Sequence, residues 1–327
     1  MHPSQILFAG ERPFPILPAV DHYAGSEKLI RKALALQGEM GPVFDLTCDC
    51  EDGARAGAEA EHAAMCAEII RSAENRFGRV SARIHDSTHP HWRADLDILV
   101  GRAGERLSFL TLPKPRGLND VTDQIAELRR VEDHYGINRR IPVHIMIETH
   151  GALKDAWAIA ALEGVESLDF GIMDFVSAHH GAVPSSAMKS PGQFQHPLMV
   201  RAKCEIVAAA LGNGVVPTHN VCTELKDTDG VFTDARRARQ EFGFLRMWSI
   251  HPNQIRPILE AMRPDFAEVE DAVIILTMAQ DQGWGPIKYQ GQLHDRASYR
   301  YYWKLLQRAQ STGMELPGAV TERFFGG

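Results

Sequence analysis

The chain has 327 residues, of which 44% are hydrophobic and 24% charged, with a formal net charge of −7. That balance excludes a disordered or fibrous chain and fits one large globular domain or two small ones. The acidic surplus argues against a nucleic-acid binder, since phosphate-backbone affinity needs a basic surface. No apolar run approaches the roughly 18 residues that span a bilayer. No basic stretch followed by an apolar core signals secretion, so the expected address is cytoplasmic.

Taken in order, short apolar runs ending in polar residues alternate with longer stretches of helical spacing, a rhythm that implies a parallel sheet. The first strand is expected at Ile6 to Gly10 or Phe14 to Val20. The others are expected at Val43 to Asp49, Val80 to Ile84, Leu107 to Leu112, Val143 to Ile147, Ser167 to Gly171, Val215 to Val221 and Phe244 to Ile250. Ser26 precedes one amphipathic helix, and Asn119 or Asp120 another. About eight βα units, with no G-x-G-x-x-G after the first strand, predict a (β/α)8 TIM barrel over residues 1–262. Residues 263–327 are expected to form a C-terminal helical extension, with helices at Glu268 to Gln282 and Ser298 to Gln310 joined by the glycine-rich stretch Gly283 to Gly291. The stripe Tyr299, Tyr301, Tyr302, Trp303, Leu305 and Leu306 reads as a helix face seeking a partner surface.

In a barrel the active site is built from residues at the C-terminal ends of the strands. Those positions hold Asp49, Glu51 and Asp52 after the second strand, Arg83 and His85 after the third, Lys114 after the fourth and Glu148 after the fifth. Asp174 follows the sixth, His219 and Asn220 the seventh, and His251 the eighth. Two carboxylates on adjacent strand ends, Glu148 and Asp174, repel each other; a hard divalent ion with oxygen ligands resolves this at neutral pH, a Mg²⁺ type of site. Capping of a following helix is the alternative for each, and is compatible with ligation. Arg83 is placed either for bidentate recognition of a carboxylate or phosphate or for an ion pair with Asp49 or Glu51. The histidines show neither H-x-E-x-H nor H-E-x-x-H spacing, and no G-x-S-x-G elbow is present, so zinc and a serine nucleophile are not indicated. Five cysteines without a C-x-x-C read as reduced thiols, with Cys48 and Cys50 packed on the face opposite Asp49.

Several fragments, in this order, resemble the citrate lyase beta-subunit and malyl-CoA lyase family of phosphoenolpyruvate/pyruvate-binding barrels. They are Leu7-Phe8, Asp49-Cys50-Glu51-Asp52-Gly53-Ala54, Arg83, Leu112-Pro113-Lys114, Ile147-Glu148-Thr149 and Phe170-Gly171-Ile172-Met173-Asp174, followed by Ile250-His251-Pro252-Asn253-Gln254-Ile255 and Gly291-Gln292-Leu293-His294-Asp295. The resemblance implies Mg²⁺, with Mn²⁺ as its substitute, on Glu148 and Asp174. It implies a keto-acid carboxylate on Arg83 and on the backbone of Gly171, Ile172 and Met173, with Glu51, Asp52 and Lys114 completing the substrate site. It also implies Asp295 as an acid/base entering a neighbouring subunit of a homotrimer or hexamer, on which the C-terminal extension would dock. The lysine that the family often has shortly before Ile-His-Pro falls at Met247, with Arg246 beside it as a shifted substitute, and the stretch after Asp52 is acidic where a basic CoA contact is usual.

The implied reaction is cleavage of a citryl-, malyl- or citramalyl-like 3-hydroxyacyl thioester, on CoA or a carrier, to a 2-oxo acid such as oxaloacetate or glyoxylate plus an acyl thioester. A lysine Schiff base is not required. Hydrolysis of the thioester, or a CoA-independent aldolase, is a rival on the same site, and a catalytically idle keto-acid or metal binding protein is a rival of another class.

Overall fold

Eight parallel strands close in chain order into a barrel: β1 (Val20–Ala24), β2 (Phe44–Asp49), β3 (Val80–Arg83), β4 (Leu110–Leu112), β5 (Val143–Ile147), β6 (Val165–Phe170), β7 (Val216–His219) and β8 (Arg246–Ser249), with β8 pairing back onto β1. This is the expected (β/α)8 architecture, seen in a computed structural model that describes residues 2–10, 13–54 and 56–326. The strands are buried almost throughout because helices cover the outside while side chains fill the inside.

The first strand differs from expectation. It starts at Val20, and Pro3–Leu7 is a short helix with proline in its first turn and the His2 side chain as N-cap. Pro13, Pro15 and Pro18 supply no N–H donors, so a ladder cannot form before Val20.

The chain divides into two compact units, Leu17–Ala261, which is the barrel, and Met1–Ile16 with Met262–Gly327. The second unit thus includes the N-terminal residues that the sequence alone assigned to the barrel. Its helices Phe266–Asp281 and Arg296–Ser311 lie where expected, and a third, Gly318–Phe325, follows them. The connection between the first two is a hairpin, β9 (Ile287–Tyr289) and β10 (Gln292–His294), turned by Gln290 and Gly291 at φ 46° and 80°. Two successive positive φ values are what a two-residue hairpin loop needs to match strand twist. Tyr299, Trp303 and Leu306 are buried inside this unit with Leu7, Leu276, Trp284 and Phe324. Most of the aromatic face expected to seek a partner surface is therefore already covered, though Tyr301 remains exposed.

The barrel interior is polar below the mouth. Asp21, Asp45, His144, Asp169 and Arg246 are all fully buried. Arg246 donates to Asp45, Thr47 donates to Asp21 at 2.7 Å, and Ser167 donates to Asp169 at 2.5 Å. Arg246, the shifted substitute for a family lysine, is thus committed to this interior layer. Cys48, Cys50 and Cys66 are buried, with 3.9 Å between the Cys50 and Cys66 sulfurs, where the outer face of β2 meets the helix Glu59–Arg71.

Among the described residues, no helix is long and apolar enough to cross a membrane.

Candidate active site

A cavity of about 170 Å³ opens at the C-terminal ends of the strands, lined by residues from six of them and from the loops that follow. Asp49 ends β2 and Arg83 ends β3, opposite each other in the ladder. Arg83 Nε and Nη2 donate to the two Asp49 carboxylate oxygens at 2.8 and 2.6 Å, a bidentate fork, and Nη1 lies 3.0 Å from Glu51 Oε2. Arg83 is thus ion-paired with Asp49 and Glu51, and it also lines the cavity. Burial works to raise the Asp49 carboxyl, but the Arg83 guanidinium outweighs it and holds the group below its usual value. The Asp49 loop turns tightly, with Gly53 N–H donating to Asp49 Oδ2 at 2.9 Å. A Cβ on Gly25 would stand 2.0 Å from the Gly53 carbonyl oxygen, so glycine is required where the β1 and β2 loops meet.

Lys114 carries the loop after β4 in a left-handed conformation, φ 48°. Its N–H donates to Glu148 Oε1 at 2.7 Å, while its ammonium lies 2.5 Å from Glu51, 2.8 Å from Asp52 and 3.8 Å from Asp174. Burial acts to lower the ammonium pKa, but the bonds to Asp52 and Glu51 prevail and raise it. Lys114 is therefore a fixed positive charge tying three carboxylates together, without the depressed pKa a nucleophilic amine needs.

Glu148 follows β5 and is fully buried. Burial first, and then the neighbouring Asp174 carboxylate, push its pKa up to about 8. Its Oε2 is buried and has no hydrogen-bond partner among the described residues. Gly171 makes room for that oxygen, since a Cβ there would lie 2.1 Å from it. A buried, unpartnered carboxylate oxygen beside a second carboxylate fits a hard divalent cation, which would restore the charge that burial disfavours. Helix capping is not the role of Glu148: Thr149 takes it, accepting from Ala152 N–H at 3.0 Å. Asp174 does sit in the first turn of the helix Ile172–Ser177, which starts at Gly171 beside the cavity.

Other rim residues go elsewhere. His85 bonds Asp95 at 2.6 Å, His219 lies 2.7 Å from the buried Lys203 ammonium, and His251 caps the turn Pro252–Gln254. Asn220 alone of the seventh-strand pair lines the cavity. Asp295 belongs to the second unit, where it is exposed and caps the helix Arg296–Ser311 by accepting from Ala297 N–H at 2.9 Å. The sequence reading missed Tyr23, Met146, Val221 and Trp248, all of which line the cavity. Tyr23 was out of reach once β1 was set too early; the other three carry no charge and so gave no signal.

Fold and site together define a (β/α)8-barrel enzyme whose mouth presents an arginine beside a pair of metal-competent carboxylates. The chain belongs to the HpcH/HpaI aldolase/citrate lyase family, whose model matches residues 43–252, and it is a carbon-carbon lyase. It is similar to a protein from Burkholderia xenovorans LB400 described as a citrate lyase, at 52% identity over 99% of this chain and 100% of that one, with a TM-score of 0.87. An L-malyl-CoA/beta-methylmalyl-CoA lyase from Cereibacter sphaeroides is 26% identical over 81% of this chain and 87% of its own. The fold is shared with Mycobacterium tuberculosis CitE in complex with magnesium, acetoacetate and coenzyme A, at 21% identity over 90% of this chain and 98% of that one, with a TM-score of 0.68.

Proposed function

We propose that the protein is a Mg²⁺-dependent lyase that cleaves a 3-hydroxyacyl thioester into a 2-oxo acid and an acyl thioester. The observation that carries this reading is the buried, unpartnered Glu148 oxygen, cradled by Gly171 and neighboured by Asp174. The lyases and the magnesium complex named above support it.

Glu148 and Asp174 would hold the ion, which when bound supplies Lewis-acid polarisation of the substrate oxygens. Arg83 binds the carboxylate of the oxo-acid half through the N–H positions that Asp49 and Glu51 leave free. The N–H groups of Ile172 and Met173, in the first turn of their helix, have no intrahelical acceptor and stand beside that carboxylate. Lys114 positions Glu51, Asp52 and Glu148. Asp295 acts as the acid that protonates the acyl-thioester carbanion, delivered from a neighbouring subunit of a trimer or hexamer.

Mass spectrometry of the products formed from malyl-, citramalyl- and citryl-CoA tests the reaction: a lyase releases a 2-oxo acid and a shorter acyl-CoA. Free CoA with an intact hydroxy acid would make it a thioesterase instead. For the subunit arrangement, mixing Glu148→Gln with Asp295→Asn should recover part of the activity after subunit exchange. No recovery despite verified exchange would mean that Asp295 serves its own barrel or does no chemistry.

A further inference from the structure

Away from the mouth, sulfur and imidazole groups converge on the outer face of β2. Successive residues of an extended chain point to opposite faces, so Asp49 lines the cavity while Cys48 and Cys50 on either side of it face outwards. Cys50 follows the strand, and its N–H still pairs with the Arg83 carbonyl at 2.9 Å. The helix Glu59–Arg71 covers this face and presents His62 and Cys66, one turn apart and therefore on the same side. The pattern is C-x-C on a strand against H-x-x-x-C on a helix. Histidine spacing does not reveal it, because only one of these ligands is a histidine.

Cys50, His62 and Cys66 each place a ligand atom within 4.8 Å of the others. The two sulfurs lie 3.9 Å apart. Thiolates bound to one Zn²⁺ at about 2.3 Å with tetrahedral angles stand about 3.8 Å from each other, so this pair needs almost no movement to share an ion. His62 Nε2 donates to the Asp49 carbonyl oxygen at 2.9 Å, which leaves Nδ1 of the neutral ring with the lone pair that a metal needs. Metal-bound imidazoles usually have their second nitrogen fixed in this way. Cys48, whose thiol interacts with that of Cys66, supplies a further sulfur beside them. The contact with Cys66 and then burial push the Cys50 thiol well up, and the contact with Cys48, with burial adding to it, does the same for Cys66. Each thiol that binds an ion therefore releases a proton to solvent.

We propose that Cys50, His62 and Cys66, with Cys48 beside them, form a second metal site, for a thiophilic divalent ion of the Zn²⁺ type. Sulfur and imidazole favour such an ion over Mg²⁺, whereas the carboxylates of the mouth suit Mg²⁺. The ion ties the helix Glu59–Arg71 to the end of β2, directly behind Asp49. The site stands whether or not the mouth is that of a lyase.

The test adds Co²⁺, a coloured substitute for Zn²⁺, to the reduced full-length protein in excess Mg²⁺. One equivalent should produce thiolate-to-metal charge-transfer absorption, which oxygen ligands do not give. One equivalent of Zn²⁺ should bleach it, and the affinity should rise with pH as thiol protons are lost. Cys66→Ser and His62→Gln should each weaken binding read at this band by at least the order of 10- to 100-fold that loss of an outer-shell partner already costs. His62 is only half-buried, and glutamine keeps a donor for the Asp49 carbonyl, so His62→Gln decides the matter if Cys66→Ser does not fold. Cys204→Ser removes the exposed thiol and should change nothing. Absence of a sulfur band in the unaltered protein overturns the proposal. A band that keeps its full affinity in His62→Gln, or disappears in Cys204→Ser, does so equally.

Discussion

Two buried charge clusters occupy the same barrel, one in its interior and one at its mouth, and each sets an arginine among carboxylates. In the interior, Arg246 bonds Asp45 and lies 3.6 Å from Asp21, with the hydroxyls of Thr47 and Ser167 taking part of the remaining charge. At the mouth, Arg83 grips Asp49 and Glu51, Lys114 ties in Asp52 and Asp174, and Glu148 keeps an unpartnered oxygen facing the pocket that Gly171 leaves. Both contain buried charges, although at the mouth Asp52 and Asp174 are exposed. What separates them is a cavity and a glycine that holds space open beside the Glu148 oxygen, which is left without a protein partner among the described residues. A buried charged cluster therefore marks structure unless space for a ligand accompanies it.

The comparison predicts that the mouth governs activity and the interior governs stability. Glu148→Gln or Asp174→Asn should lower turnover by roughly a thousandfold, about 4 kcal/mol of transition-state stabilisation, with the melting temperature of the metal-free protein held or raised. Steady-state kinetics with calorimetric Mg²⁺ titration check this. Arg246→Met should do the opposite, destabilising the fold by about 3 kcal/mol because Asp45 and Asp21 lose their buried counter-charge. Urea unfolding measures that loss, and an unaffected midpoint would erase the distinction between the clusters. Arg83→Lys keeps the charge but not the fork, so kcat/KM should fall by roughly 10- to 100-fold, more than stability does. A large fall in melting temperature with unchanged kinetics would move Arg83 to the structural side.

The smallest effect is expected from pH. Burial holds the Asp21 carboxyl at about 7 in the folded protein, against 3.8 for an ordinary aspartate. The folded state then retains a proton that the unfolded chain has released. Its contribution is complete below the unfolded value and is lost as pH rises towards 7. Asp21→Asn should therefore flatten the stability profile of the metal-free protein over that window. At the mouth the same sign holds for Glu148, raised to about 8, and because ligation needs the ionised form, Mg²⁺ affinity should climb as pH approaches 8. A pH-independent affinity would mean that Glu148 is not a ligand.

Much of this was legible in the sequence because alternation of apolar strands and amphipathic helices fixes a barrel, and a barrel fixes which residues face its mouth. Glu148, Asp174, Arg83 and Lys114 announce themselves as charges at strand ends. The interior layer did not, since Asp45 lies inside the expected second strand and Asp21 falls just past a first strand expected too early, and both read as ordinary polar positions. The prolines before Val20 could have moved β1 to its place and brought Tyr23 to the mouth. Met146 lies two residues before Glu148 and Trp248 three before His251, and an apolar side chain in a strand looks the same whether it faces a cavity or a core. The assignment of residues 2–10 to the second unit depends on Leu7 packing with Trp284 and Phe324, a contact between chain ends that no local pattern encodes.

The most direct test of a metal-dependent lyase at the mouth is 2-oxo acid release from citramalyl-CoA by the unaltered protein, followed after chelation and again after Mg²⁺ is restored. Release should vanish with chelator, return with Mg²⁺, and fail to return in Glu148→Gln. Release of the 2-oxo acid at an undiminished rate in excess chelator would contradict the assignment.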